Sequence, residues 1–363
     1  MDQGQSRQLL TQSPSAGAQF LFATFANAFA NFAVKSFVSV PQQDTIRSHS
    51  MHVESDPAAF REKLLSWYDQ NRRDLPWRKD RDPYRVWVSE IMLQQTRVAA
   101  VLPKYQSFLQ RFPSVQKLAA ARTPSVLSEW SGLGYYRRAR NLHATANIIA
   151  RAGKFPQTSE AWRALPGIGR YTAAAISSIA FNEPVAVVDG NVERVLRRVS
   201  GRNQSTAKSW KTAQALLDPR RPGDFNQAIM ELGATVCVPG EPLCAVCPIQ
   251  SFCTAQGRDR TLPRKPRQQK RKIAFALALS NGSVRLVRRS SIQTLMPGMW
   301  ELPRSDVRRK PLFSLKHSIT TTDYDVRVIS ALTADGVPVR ISRVPQLALT
   351  GLARKILCRA GVI

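Results

Sequence analysis

The chain has 363 residues, 43% of them hydrophobic, and carries 53 Lys and Arg against 25 Asp and Glu, a formal charge of +28. That length suggests about two domains with cores of their own, and the charge is too large for solubility alone and points to a polyanion. An anionic membrane would call for an amphipathic basic helix or an apolar span; the body of the chain has neither, which leaves nucleic acid as the expected partner.

Residues 1–55 differ from the rest. No acidic residue occurs from Gln3 to Gln43, and Phe20 to Val40 is rich in Phe and Ala. A targeting segment would look similar, but Asn27, Asn31 and Lys35 interrupt the apolar run and the charge follows it. The expectation is a poorly structured N-terminal extension, with Met51 as an alternative start. From Phe60 the pattern turns helical: Phe60, Leu64, Leu65 and Tyr68 recur at helical spacing, Leu75-Pro76-Trp77 breaks it, and Val86 to Leu102 resumes it. Further helical stretches follow between short Gly/Pro breaks, so 56–256 is expected to be all-α. Residues 257–272 are basic and nearly free of apolar side chains, as a linker would be. After them the period changes. Ile273 to Leu279 and Val284 to Val287 flank Asn281-Gly282, a hairpin signal, Tyr324 to Val328 alternates, and Leu347 to Leu357 reads as helix. Residues 273–363 are expected to form a small α+β domain.

Several stretches carry chemistry. Leu165-Pro166-Gly167-Ile168-Gly169-Arg170-Tyr171 reads as a helix end, a glycine turn and a new helix start, where backbone N–H groups can approach a phosphate; an ordinary helical hairpin is the plain alternative. Val187-Val188-Asp189-Gly190-Asn191 puts one carboxylate between an apolar run and a helix start, as a cap, a charged group at a pocket edge, or both. Glu90 sits in an apolar helical stretch, where burial raises a carboxyl's pKa. Cleaving an N-glycosidic bond needs such a pair: a protonated acid for the leaving base and an ionised carboxylate for the cationic sugar. Cys237, Cys244, Cys247 and Cys253, spaced C-x6-C-x2-C-x5-C, read as a metal loop over 237–253. One short knuckle with longer arms favours an iron–sulfur cluster, with zinc the open alternative.

In this order, LPGIGRYTA, VVDGNV and the cysteine loop resemble the helix-hairpin-helix DNA glycosylase superfamily and its Fe–S branch. LPWR (75–78), VSEIMLQQTRV (88–98) and GLGYYRRARNL (132–142) are similar to the MutY family of adenine glycosylases within it. The resemblance implies a multidomain chain: an all-α helix-hairpin-helix glycosylase domain with a [4Fe–4S] loop, then a small α+β Nudix-like domain that checks for 8-oxoguanine. It implies that Glu90 protonates adenine, that Asp189 stabilises the sugar cation, and that Tyr171 and Asn191 support them. Trp77, Arg78 and Glu231 would line the adenine pocket. Gln94 and Tyr135 would enter the helix at the mispair, and Gly167 and Gly169 would hold the DNA backbone. Core packing or surface charge are the plain alternatives for these side chains. Relatives of endonuclease III type place a lysine where Tyr171 stands, and only an amine forms the Schiff base that drives strand cleavage. The resemblance therefore implies a monofunctional adenine glycosylase acting on double-stranded DNA with A:8-oxoguanine or A:G mispairs, monomeric, cytoplasmic and without a membrane partner. A glycosylase/lyase for oxidised pyrimidines and a non-catalytic Fe–S DNA-binding module are the alternatives. The C-terminal match departs from the family: where H-x-F-S-H is typical, this chain has His317-Ser318-Ile319-Thr320-Thr321. His317 and Thr320 are the expected contacts there.

Overall fold

The computed structural model describes residues 56–363 apart from 202–204, 258–267, 291, 294 and 320. The expected N-terminal extension, most of the basic linker and Thr320 lie outside the described residues. Among the described residues, eleven α-helices come first: α1 Pro57–Asn71, α2 Pro83–Leu93, α3 Val98–Arg111, α4 Val115–Ala119, α5 Thr123–Glu129, α6 Arg137–Ala152, α7 Ser159–Arg163, α8 Arg170–Phe181, α9 Gly190–Ser200, α10 Thr206–Leu216 and α11 Pro222–Thr235. Local chemistry sets their starts. Asp56 and Asp82 accept from Ala59 N and Arg85 N, and Pro57 and Pro83 follow them, the N-cap and first-turn proline pattern. Helix α2 buries Tyr84, Val86, Trp87, Val88, Ile91 and Met92, so it is apolar all round and runs through the core rather than along it.

The stretch Val86 to Leu102 does not form one helix. It breaks between α2 and α3 at Gln94–Arg97, where Gln95 takes a left-handed backbone (φ 54°). No proline or glycine marks that break. The helices pack with α8 against α2, α7 and α11, and with α11 against α1, α8 and α9, which brings residues from α2, α8, α9 and α11 to one place.

Two small sheets and a helix follow. Strands β1 Gln269–Leu277, β5 Phe313–Ile319 and β6 Thr322–Ser330 form one sheet, β6 lying parallel to β1 and antiparallel to β5. Strands β2 Leu279–Ser280, β3 Ser283–Arg288, β4 Trp300–Glu301 and β7 Val337–Arg340 form the other. The hairpin at Asn281-Gly282 forms as expected, both residues having positive φ. Strand β1 starts at Gln269, inside the stretch read as linker, because Lys270 and Lys272 pair in register with Asp323 and Asp325. The last helix, α12, spans Gly351–Arg359 rather than starting at Leu347. Leu347 to Leu349 stay extended because Trp300 N donates to Ala348 O and Thr350 N to Trp300 O, and Thr350 then caps the helix.

Helical and sheet parts lie in one compact unit and meet through specific bonds. Tyr136 Oη donates to Leu349 O (3.1 Å), Arg354 Nε to Ser131 Oγ (2.7 Å) and Arg140 Nη2 to Pro297 O (2.5 Å).

Candidate active site

Glu90 lies in the last turn of α2 and is only 7% exposed. Burial drives its carboxyl up to about 7; a hydrogen bond with Tyr171 and the charge of Arg78 oppose this, and the charge of Asp189 adds to it. A carboxyl at about 7 exchanges its proton near neutral pH. Tyr171 opens α8, donates to Met230 Sδ (3.1 Å), and is held well above its ordinary value by burial and then by the charges of Glu90 and Asp189. It stays a neutral phenol.

Asp189 is the N-cap of α9. Its Oδ1 accepts from Asn191 N (2.9 Å) and Val192 N (2.8 Å), and its Oδ2 from Asn191 Nδ2 (3.0 Å). Capping and positioning are thus the same feature: three donors at the start of α9 hold both carboxylate oxygens in place. The extended approach to Asp189 is pinned by buried Asn226, which accepts from Val187 N and donates to Val185 O. Arg194, whose importance the sequence does not announce, joins this group to the cysteine loop. Its Nη2 donates to Asn191 Oδ1 (2.8 Å) and its Nε to Cys237 O (2.8 Å).

Glu231 on α11 has the opposite character. Burial pushes its carboxyl up, but hydrogen bonds from Arg73 and Arg78 outweigh that and hold it at about 2. Arg73 grips both oxygens (2.7 and 2.8 Å) and Arg78 one (2.9 Å). Arg73 is absent from the sequence expectation; the only hint was its position just before Leu75-Pro76-Trp77. Trp77 packs edge-on against Tyr105, with ring centroids 5.3 Å apart, inside the helical core.

The hairpin turn joins α7 to α8. Gly167 has φ 77°, and a Cβ there would stand 2.3 Å from Asn141 Nδ2, so only glycine fits. Gly169 is the N-cap of α8.

Beside the turn opens a cavity of about 940 Å³. Its wall brings together Gln94, Gln95, Tyr135, Gly167, His317 and Ser318, so a cleft between the helical part and strand β5 unites residues from four expected motifs. Tyr135 is half-exposed, with φ 46°. Burial and the charge of Lys355 lower the His317 pKa. Ser318 Oγ, unremarked in the sequence reading, donates to Asp323 (2.5 Å). Ile91 and Gln94 reach this wall, but Glu90, Asp189, Trp77, Arg78 and Glu231 are not part of it.

The four cysteines line one small cavity with Arg198. Burial pushes Cys247 up to about 12, and the other three thiols add to the shift; burial raises Cys253 as well. Arg198 Nη1 donates to Cys237 Sγ at 3.3 Å. Among the described residues no three His, Cys, Asp or Glu side chains are placed to hold a single metal ion.

The stretch 88–219, which holds the buried carboxyl of Glu90, the Gly-x-Gly turn and the helix-capping Asp189, matches the HhH-GPD superfamily of base excision DNA repair proteins. Adenine DNA glycosylases are among the chain's sequence relatives. That of Rattus norvegicus is 52% identical over 234 residues, covering 58% of this chain and 45% of that one. That of Homo sapiens is 46% identical over 265 residues, covering 68% and 48%, and that of Arabidopsis thaliana 40% over 302, covering 69% and 48%. The chain spans about half the length of these curated relatives. A solved thermostable thymine-DNA glycosylase is similar with a TM-score of 0.53 and 28% identity, covering 57% of this chain and 99% of that one. Among the described residues no helix is long and apolar enough to cross a membrane.

Proposed function

We propose that the protein is a monofunctional adenine DNA glycosylase that releases adenine mispaired with 8-oxoguanine or guanine from double-stranded DNA. The observation that carries this is Glu90: a buried carboxyl at about 7, within reach of the charge of Asp189, which caps the start of α9. In the reaction, Glu90 gives its proton to N7 of the extruded adenine, and the C1′–N9 bond breaks with its electron pair leaving on the base. Asp189 stabilises the sugar cation. Water then attacks C1′, its proton passing to the Glu90 carboxylate, and an abasic site remains. Tyr171 and Asn191 orient the two carboxyls. Strand cleavage through a Schiff base needs an amine, and a phenol kept neutral supplies none.

Arg78 and Glu231 read the adenine edge, with Trp77 supporting them from the core. Gln94 and Tyr135 fill the space left by the extruded base, and Gly167 and Gly169 hold the DNA backbone. The region from 273 onward is a Nudix-like module that reads the 8-oxoguanine. His317 lines the shared cleft, and Ser318, with its proton committed to Asp323, offers lone pairs there; Thr320, the other expected contact, lies outside the described residues. Cys237, Cys244, Cys247 and Cys253 would hold a [4Fe–4S] cluster. Four half-buried thiols around one small cavity suit a cationic centre, which would ionise them and fix the loop. The chemistry proceeds on Glu90 and Asp189.

The test is base release from matched duplexes containing A:8-oxoguanine, A:G or thymine glycol, with borohydride present. The expected result is adenine release from both mispairs and no trapped protein. Release from thymine glycol with trapping would establish the lyase instead, and DNA binding without any release would establish a binding module.

A further inference from the structure

Both lips of the large cleft are strained. Gln95 (φ 54°) and Tyr135 (φ 46°) occupy the left-handed region, which residues with a Cβ adopt only where their surroundings over-determine it. One side chain bonds the backbone beside both. Arg138, in the first turn of α6, donates through Nη1 to Ile91 O (2.8 Å), Met92 O (2.9 Å) and Gln94 O (2.6 Å). Through Nη2 it donates to Thr96 Oγ1 (3.0 Å), Leu133 O (3.0 Å) and Gly134 O (3.2 Å).

The Nη1 acceptors are carbonyls at the C-terminal end of α2, which lack helical partners and favour a cation. The last two Nη2 acceptors belong to the turn that presents Tyr135. The guanidinium also lies 5.5 Å from the Tyr135 ring and 5.4 Å from that of Trp130. A lysine, with a compact ammonium and no planar fork, cannot span both sets.

We propose that Arg138 is the positioning residue that fixes Gln94–Gln95 and Tyr135 at one spacing, so that the two lips enter a duplex as a single wedge. This rests on the function proposed above, in which the cleft receives the nucleotide opposite the excised adenine. Extruding a base costs a few kcal/mol, and less when the base is already unpaired. Lips that are set before binding avoid the ordering cost that independent loops would add at that moment. Arg138 acts through its neighbours and touches no reacting atom.

The experiment uses the full chain with Arg138→Lys and Thr96→Val, the latter removing one Nη2 acceptor. Single-turnover adenine release is measured from a mispaired duplex and from the same adenine in a single-nucleotide bulge, with 2-aminopurine beside the site reporting unstacking. Arg138→Lys is expected to slow release from the mispair by roughly 10²-fold, to abolish the fluorescence rise, and to slow the bulge by less than about tenfold. Thr96→Val moves both readouts the same way by less. Adding Tyr135→Ala to Arg138→Lys is expected to add little, because the two act as a unit.

Equal slowing on both substrates with the fluorescence rise intact would make the arginine merely structural and overturn the proposal, as would a rate equal to the parent's. If circular dichroism shows Arg138→Lys unfolded, the Thr96→Val and Tyr135→Ala cycle decides, and additive effects sink the idea. If the parent releases no adenine from either substrate, the function proposal fails instead, while the fluorescence comparison on bound mispair still reads the wedge.

Discussion

Glu90 and Glu231 are the same residue type, both buried, on neighbouring parts of one helical core, yet one carboxyl sits at about 7 and the other at about 2. Burial pushes both upward. What separates them is the neighbourhood: Glu231 faces the forks of Arg73 and Arg78, while Glu90 faces a phenol and another carboxylate. The lesson is that depth supplies the same push everywhere and the partners decide its outcome. The fold keeps one proton carrier and one fixed anion that share the charge of Arg78.

The sharpest way to break this contrast is Glu90→Gln. Loss of the proton carrier is expected to slow adenine release by 10²- to 10⁴-fold, roughly 3–5 kcal/mol, with duplex binding retained. Stability should move the other way. A carboxyl whose folded value exceeds its unfolded 4.5 ionises first in the unfolded chain, so stability declines as pH rises from 4.5 to about 7 and stays lower above that. At pH 8 the ionised Glu90 therefore costs up to about 3 kcal/mol, and the amide removes that cost. Denaturant melts at pH 8 and pH 4.5 check it: a gain at the higher pH only is expected, and a loss at both would mean that burial does not govern this carboxyl.

Glu231→Gln is the counterpart, with a smaller expected effect. It leaves Arg78 buried without its anion, a change that typically destabilises by about 3–5 kcal/mol, reduced here because Arg73 is 40% exposed and regains water. The sign with pH is reversed. A depressed carboxyl contributes stability above its unfolded 4.5 and loses it as pH falls toward about 2. The variant should therefore lose stability at neutral pH and show a flatter acid limb in thermal melts; unchanged melts at pH 7 would show the arginine clamp to be dispensable.

How much of this was legible beforehand follows from where each signal is stored. Glu90, Asp189, Tyr171, the glycine turn and the four cysteines sit in short contiguous runs whose residue types mark them, although the partners that set the Glu90 carboxyl, Tyr171, Asp189 and Arg78, come from elsewhere in the chain. Trp77 lies in such a run as well, but the sequence does not say which face it presents, and it turns to Tyr105 in the core. Arg73, Arg138 and Arg194 were invisible for another reason. In a chain with 53 Lys and Arg an arginine reads as surface charge, and what sets these three apart is contact across the chain: Arg138 binds carbonyls 44 to 47 residues away. The break between α2 and α3 was hidden likewise, since Gln95 carries no turn signal and that same guanidinium bonds the carbonyl just before it. In the C-terminal region, acidic residues across the sheet turned an apparent linker end into strand.

The finest test of the contrast lies in Arg78, which stands between the two carboxyls. Its charge lowers both, through a hydrogen bond to Glu231 and across space to Glu90. Arg78→Met should therefore leave Glu231 paired to Arg73 while letting Glu90 rise further. Because adenine release needs Glu90 protonated, its rate is expected to fall above about pH 7 in the parent, and in the variant that falling limb should shift to higher pH by a fraction of a unit. Any loss of adenine contact lowers the plateau and leaves the midpoint alone, so the two effects separate in one pH profile of single-turnover rates. A midpoint that stays put would mean that Glu231 absorbs the arginine's charge completely and that the two carboxyls titrate as strangers.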